Sequence, residues 1–266
     1  MKLSKILYIV LIVVLLIIFA VSAIYVGSYF YEGHKQQSEY DNLAAIVESG
    51  KQNATEETNP TEIPDATGET KNAEPTILPE YQALYDMNPH MVGWIRIEDT
   101  KINYPVMQTP EEKNFYLYRN FNREKSARGC LYAREECDIF TPSDNITIYG
   151  HFMNDGSMFQ NLHNYQKKKF WESHDTLTFD TLYEHHTYRI FAVFTTTASV
   201  GEGFRYHQFI DAFTEEEFNE FVTTCKKLAF YETGITPQYG DKLITLSTCE
   251  YSQTNGRLVV VAVRVS

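Results

Sequence analysis

A basic excess is missing from this sequence: 23 Lys and Arg stand against 35 Asp and Glu in 266 residues, a formal net charge of −12. With no basic stripe, and no aromatics interleaved in a basic patch, nothing points to nucleic acid as a partner. Metal-ligand spacing is missing as well. The eight His and four Cys form no HxxxH or CxxC pair, so a zinc-type centre is not expected. Cysteine is scarce. Cys130, Cys137, Cys225 and Cys249 are enough for two disulfides in an exported chain, but a domain of this size does not need them. No internal repeat is present. Aromatics, by contrast, are plentiful: 19 Tyr and 17 Phe favour β structure, where flat rings pack well on pleated sheets.

One stretch lacks charge altogether. Ile6 to Val26 is uncharged and apolar throughout, long enough to cross roughly 30 Å of hydrocarbon as a helix. Lys2 and Lys5 precede it, which places residues 1–5 in the cytoplasm and everything after residue 26 outside the membrane. A cleaved signal peptide is the alternative, but its apolar core is shorter, and the small residues Val21-Ser22-Ala23 lie deep inside the run. Residues 27–79 are then expected to form an acidic, largely disordered stalk. From Glu32 to Pro79 there are ten acidic residues against three basic ones, and the stretch from Gly50 to Pro79 is rich in Thr, Asn, Glu and Pro. Such a composition buries too little apolar surface to offset the entropy of ordering.

The folded domain is expected at 80–266. A short helix from Glu80 stops at Asn88-Pro89. Eight apolar or alternating runs follow between turn residues, at 92–97, 102–107, 129–133, 145–149, 177–181, 186–196, 242–248 and 257–265, and suggest a mainly β barrel or sandwich. Two helices interrupt them. One is Ser157–Tyr165, with Met158, Phe159 and Leu162 inward. The other is Thr214–Leu228, capped by Thr214, with Phe218, Phe221, Val222, Cys225 and Leu228 at helical spacing. Cys225 on that stripe reads as a packed core thiol.

The chemistry concentrates near the C-terminus, in ITLSTCEYSQTNGRLVVV. Two apolar strands so close in sequence pair most cheaply as an antiparallel hairpin, with Cys249 and Arg257 at the shoulders of its loop. A guanidinium beside a strand-end cysteine favours thiolate and stabilises an oxyanion. A nucleophilic cysteine also needs a proton carrier. His151 is the best placed, following strand 145–149 after a glycine that permits an unusual backbone angle. His163 is expected on the helix surface or facing solvent. The alternative to this trio is a buried cysteine and a surface arginine.

TLSTC at Thr245–Cys249, with Arg257 at the start of the next strand, resembles the active-site signature of the sortases. YGHFMNDGSMF from Tyr149 and NPHMVGWIRIEDTKINYPVMQ from Asn88 resemble class B members of that family, as does the long insertion from Phe204 to Asp241. The resemblance implies a closed eight-stranded sortase barrel and a cysteine transpeptidase of Gram-positive cell surfaces. Cys249 would attack the threonine carbonyl of a C-terminal sorting motif in a surface protein, His151 would shuttle the proton, and Arg257 would hold the oxyanion or the substrate backbone. The thioester would pass to an amine of a peptidoglycan precursor or of another protein. No metal or other cofactor is implied. Around the trio, the resemblance and strand alternation suggest supporting roles for Glu250, Ser247, Tyr149 and Asn114. REEC at Arg134–Cys137 departs from the family pattern and leaves Cys130 and Cys137 as structural thiols. Three other readings remain: a membrane-anchored cysteine protease that releases its product to water, a pilin-polymerising enzyme, and a non-enzymatic binding module on a stalk.

Overall fold

Branched and aromatic residues alternate along eight short runs, and in the computed structural model all eight are strands. Residues 2–57, 75–199 and 201–266 are described. The strands are β1 (Met91–Arg96), β2 (Asn103–Met107), β3 (Leu131–Ala133), β4 (Asn145–Tyr149), β5 (Thr176–Thr181), β6 (Thr187–Thr197), β7 (Leu243–Cys249) and β8 (Gly256–Arg264). They close into one barrel in the order β1-β2-β3-β4-β7-β8-β6-β5. Of the two topologies open from the residues alone, the barrel is the one adopted. Closure removes every sheet edge. Most neighbours are antiparallel, but β2–β3 and β4–β7 run parallel. The second of these matters most for function.

The chain divides into two compact units, 1–42 and 43–266. A single helix, α1 (Lys2–Glu57), begins in the first and ends in the second. The run Ile6–Val26 lies within it with exposed side chains, and by length and composition α1 can cross a membrane. Here the structure departs from the expected disordered stalk, because 27–57 is helical while 58–74 lie outside the described residues. The reason is local. Gln37 bonds Asp41 at 2.9 Å one turn on, and Leu43 and Val47 share a buried face at the same spacing. In the second unit this face meets α2 (Pro79–Met87), with Pro79 in its first turn. Gly50 makes the contact, since a Cβ there would lie 2.5 Å from the Glu80 Cα.

The segment expected as a helix at Ser157–Tyr165 is a 3₁₀ helix, Phe159–Gln166, followed by the short α3 (Lys168–Ser173). Phe159, Leu162 and Tyr165 are its buried side chains, and a spacing of three suits three residues per turn better than 3.6.

The insertion between β6 and β7 carries α4 (Glu215–Leu228). Thr214 Oγ1 accepts from Glu217 N at 3.2 Å, and three glutamates occupy the positive N-terminal turn. Phe218, Phe221, Val222 and Cys225 pack against Phe191, Phe194, Val259 and Val261 on the outside of β6 and β8. Leu228, expected on the same stripe, is instead 40% exposed at the last position of the helix. Burial pushes the Cys225 thiol well above its usual range, as befits a packed core residue.

Candidate active site

Antiparallel pairing of β7 with β8 sets Cys249 directly opposite Arg257. Both strands are buried along almost their whole length, so this pair stands on a stiff frame, as expected. The loop between them is tied by its own backbone: Glu250 N donates to Gly256 O at 2.9 Å, and Gly256 N to Gln253 O at 3.1 Å. Arg257 Nη1 donates to the carbonyls of Asn255 (3.3 Å) and Gly256 (2.9 Å). That leaves the rest of its five-donor fork for other partners.

The other side of β7 pairs with β4, in parallel. Tyr149 stands opposite Ser247, and Gly150 N donates to Ser247 O at 3.1 Å. Two residues on, the strand ends carry His151 and Cys249. Because adjacent strands lie roughly 4.8 Å apart, this register brings imidazole and thiol to the same end of the barrel. Cys249, His151 and Arg257 line one cleft of about 320 Å³. Cys249 is half-buried, whereas Cys130, Cys137 and Cys225 are buried.

A carbonyl orients the His151 ring. Nε2 lies 2.7 Å from Leu117 O, and since a carbonyl only accepts, Nε2 carries the proton and Nδ1 is the basic nitrogen. Gly129, at φ +58°, admits that carbonyl, for a Cβ there would lie 2.5 Å from Leu117 O. Gly150 serves differently from the expectation. It is not among the residues at positive φ. Its role is room: a Cβ would fall 2.4 Å from Leu131 Cδ2 and 2.6 Å from Phe159 Cδ2, both on buried side chains. Gly150→Ala is therefore expected to cost about 1–3 kcal/mol by overpacking and to lower the thermal midpoint measurably. An unchanged midpoint would refute this account of the glycine.

The supporting residues divide. Ser247 is buried on the cleft wall, with its Oγ 2.6 Å from the Tyr206 hydroxyl, so the insertion before β7 reaches the site through Tyr206. Tyr149 packs on Tyr132 with ring centroids 5.4 Å apart. Burial and the neighbouring Tyr206 push its hydroxyl up, against the pull of Arg134. Asn114, left-handed at φ 56°, accepts from Tyr132 OH at 3.0 Å through Oδ1 and lies on the rim of the cleft. Glu250 is turned away into its own loop, where its carboxylate accepts from Ser252 N (2.9 Å) and Ser252 Oγ (2.6 Å).

Two features of the site were not read from the sequence. The REE of Arg134–Glu136 builds the charged rim. Glu135 accepts from Asn114 N, and Glu136 is bonded by Lys113 Nζ at 2.7 Å and lies 3.0 Å from Arg134 Nε. Only the crowding of charge there hinted at it. Cys137, next in sequence, is structural: its Sγ donates to Asn145 O at 3.5 Å, and burial pushes the thiol up to about 11. The second is His163. Expected on the surface, it points inward instead, with Nε2 3.0 Å from Cys249 O.

Residues 95–265 match the family model for the sortase domain. The chain is 30% identical to sortase B of Staphylococcus aureus over 188 residues, 70% of this chain and 75% of that protein. It is 31% identical to sortase B of Listeria monocytogenes over 194 residues, 72% and 76% of the respective chains. Among solved structures, a Staphylococcus aureus sortase B–substrate complex superposes with a TM-score of 0.73 at 25% identity, covering 88% of this chain and 98% of that one. By sequence, barrel and relatives alike, the chain belongs to the sortase family of cysteine transpeptidases, with class B members among its relatives.

Proposed function

We propose that this chain is a membrane-anchored sortase that attaches surface proteins bearing a C-terminal sorting signal to the cell wall. The observation that carries the reading is the shared register of three strands, which brings Cys249, Arg257 and His151 into one cleft. The Cys249 thiol gives its proton to His151 and its sulfur attacks the carbonyl of the motif threonine. Arg257 N–H groups face the oxyanion of the tetrahedral intermediate. The C–N bond then breaks, the departing amine takes the proton from His151, and a thioester remains. An amine of a peptidoglycan precursor or another protein attacks the thioester, loses a proton to His151, and releases the thiol. Tyr149, Ser247 and Asn114 line the cleft and shape the substrate's path, while Glu250 acts by holding the loop between the two shoulders. The apolar half of α1 spans the membrane, with residues 1–5 cytoplasmic and the barrel outside.

The test uses a quenched peptide library of NPxTN and PxTG types, with and without an added primary amine, and mass spectrometry of the products. An amine-bearing acyl product is expected. A water-derived acid as sole product at saturating amine would replace transfer with hydrolysis.

A further inference from the structure

The β4–β7 ladder stops one rung short of the nucleophile. Parallel rungs are evenly spaced, two residues apart. After the bond from Gly150 N to Ser247 O, the next bond donated by β4 would run from Phe152 N to Cys249 O. By then the chain has turned away. Phe152 bridges Met158 across the following turn, and Phe159 N donates to His151 O at 3.0 Å. Continuing the ladder would hold His151 flat in the sheet, so a His151 that stands at a strand end leaves Cys249 O without its β4 donor.

His163 takes that donor's place. It lies on the 3₁₀ helix Phe159–Gln166, and its Nε2 is 3.0 Å from Cys249 O. The carbonyl accepts, so Nε2 carries the proton. Nδ1 then accepts from Gln166 Nε2 at 3.4 Å, which favours the same tautomer. The same ring meets Phe152 edge-on, with centroids 4.6 Å apart, and Tyr251 of the β7–β8 loop packs on Phe152 at 5.5 Å. One imidazole therefore touches both strand ends: the carbonyl of Cys249, and the residue that follows His151. This resembles the way a second histidine or carboxylate orients a reacting group elsewhere, except that the group held is the nucleophile's own backbone.

We propose that His163 is a positioning residue for the transfer reaction: its Nε2–H replaces the missing β4 rung on Cys249 O and so fixes the thiol against the His151 imidazole. The proposal rests on the assignment of Cys249 and His151 as the reacting pair.

Its test compares His163→Leu, which removes the donor at similar volume, with His163→Gln, whose amide can still donate. Both are assayed on the best-cleaved library peptide, below their thermal midpoints, with circular dichroism to establish folding. His163→Leu is expected to fold and to lose roughly 10- to 100-fold in kcat with KM within about twofold, because a misplaced reacting group weakens chemistry rather than binding. His163→Gln is expected to recover most of that loss. A Leu variant with unaltered kcat overturns the proposal, as does a loss confined to KM or a Gln variant as slow as Leu. A Leu variant that does not fold also overturns it, since His163 would then be a fold determinant. If the unaltered protein cleaves the peptide but yields no amine-bearing product, the transfer reading fails while the His163 comparison stands on cleavage. If it does not cleave at all, both fail.

Discussion

Cys249→Ala is expected to leave the barrel folded and to reduce peptide cleavage and amine transfer below detection, a loss on the order of 10⁵-fold or more. The residue is half-buried at the mouth of the cleft, so trimming one sulfur there changes stability by no more than about 1 kcal/mol. Chemistry has no such margin, because without sulfur there is no thioester and the cleft holds no second thiol: Cys130, Cys137 and Cys225 are buried elsewhere. His151→Ala should be nearly as damaging, and the double variant no worse than either single one, since residues that act as one unit are strongly non-additive. Cleavage kinetics and unfolding curves on the three variants check this. Wild-type turnover in Cys249→Ala would end the assignment of the site.

Arg257→Ala is expected to lower kcat by roughly 10²- to 10³-fold, the scale of losing an oxyanion donor in a water-poor site. Two features separate this from loss of a surface charge. The β7–β8 pairing holds Arg257 across from Cys249 at a buried strand's end. Its Nη1 is bonded to Asn255 O and Gly256 O, which fixes the plane of the guanidinium before substrate arrives. Arg257→Lys keeps the charge but neither the fork nor those two backbone bonds, so it should recover little. Single-turnover measurement of thioester formation gives the cleanest reading. Full recovery by Lys would mean that charge alone matters, and parity of Ala with the unaltered protein would remove Arg257 from the mechanism.

How much of this was legible in the sequence depended on the range of the interaction. Strands could be read because branched and aromatic runs end at turn residues, and the β7–β8 hairpin because its partners are neighbours in sequence. Cys249 and Arg257 followed from it. His151 was found as a residue type at a strand end, but its register with Cys249 comes from a parallel pairing that no local pattern encodes. The helix over 27–57 is hidden by the polar, acidic composition of the segment as a whole. The spacing of Leu43 and Val47, four apart and buried on one face, carried the signal. A glycine before a strand-end histidine suggests backbone freedom, whereas the function of Gly150 is set by Leu131 and Phe159, which pack against it in the folded barrel. His163 was least legible. Its partner is a backbone carbonyl 86 positions away, and residue identity says nothing about such a bond.

The parallel pairing of β4 with β7 also bears on when the enzyme becomes reactive. The two strands are stitched together from Asn145 and Thr245, whose buried side chains bond at 2.7 Å across a sequence separation of 100. Contacts of such long range form slowly, because the loop between them must be closed before they contribute. The hairpin holding Cys249 and Arg257 is local and can assemble early, yet its thiol has no proton acceptor until β4 docks alongside β7. A chain in which that docking has not yet occurred thus presents a cysteine without its proton acceptor, and catalytic competence arrives only with closure of the barrel.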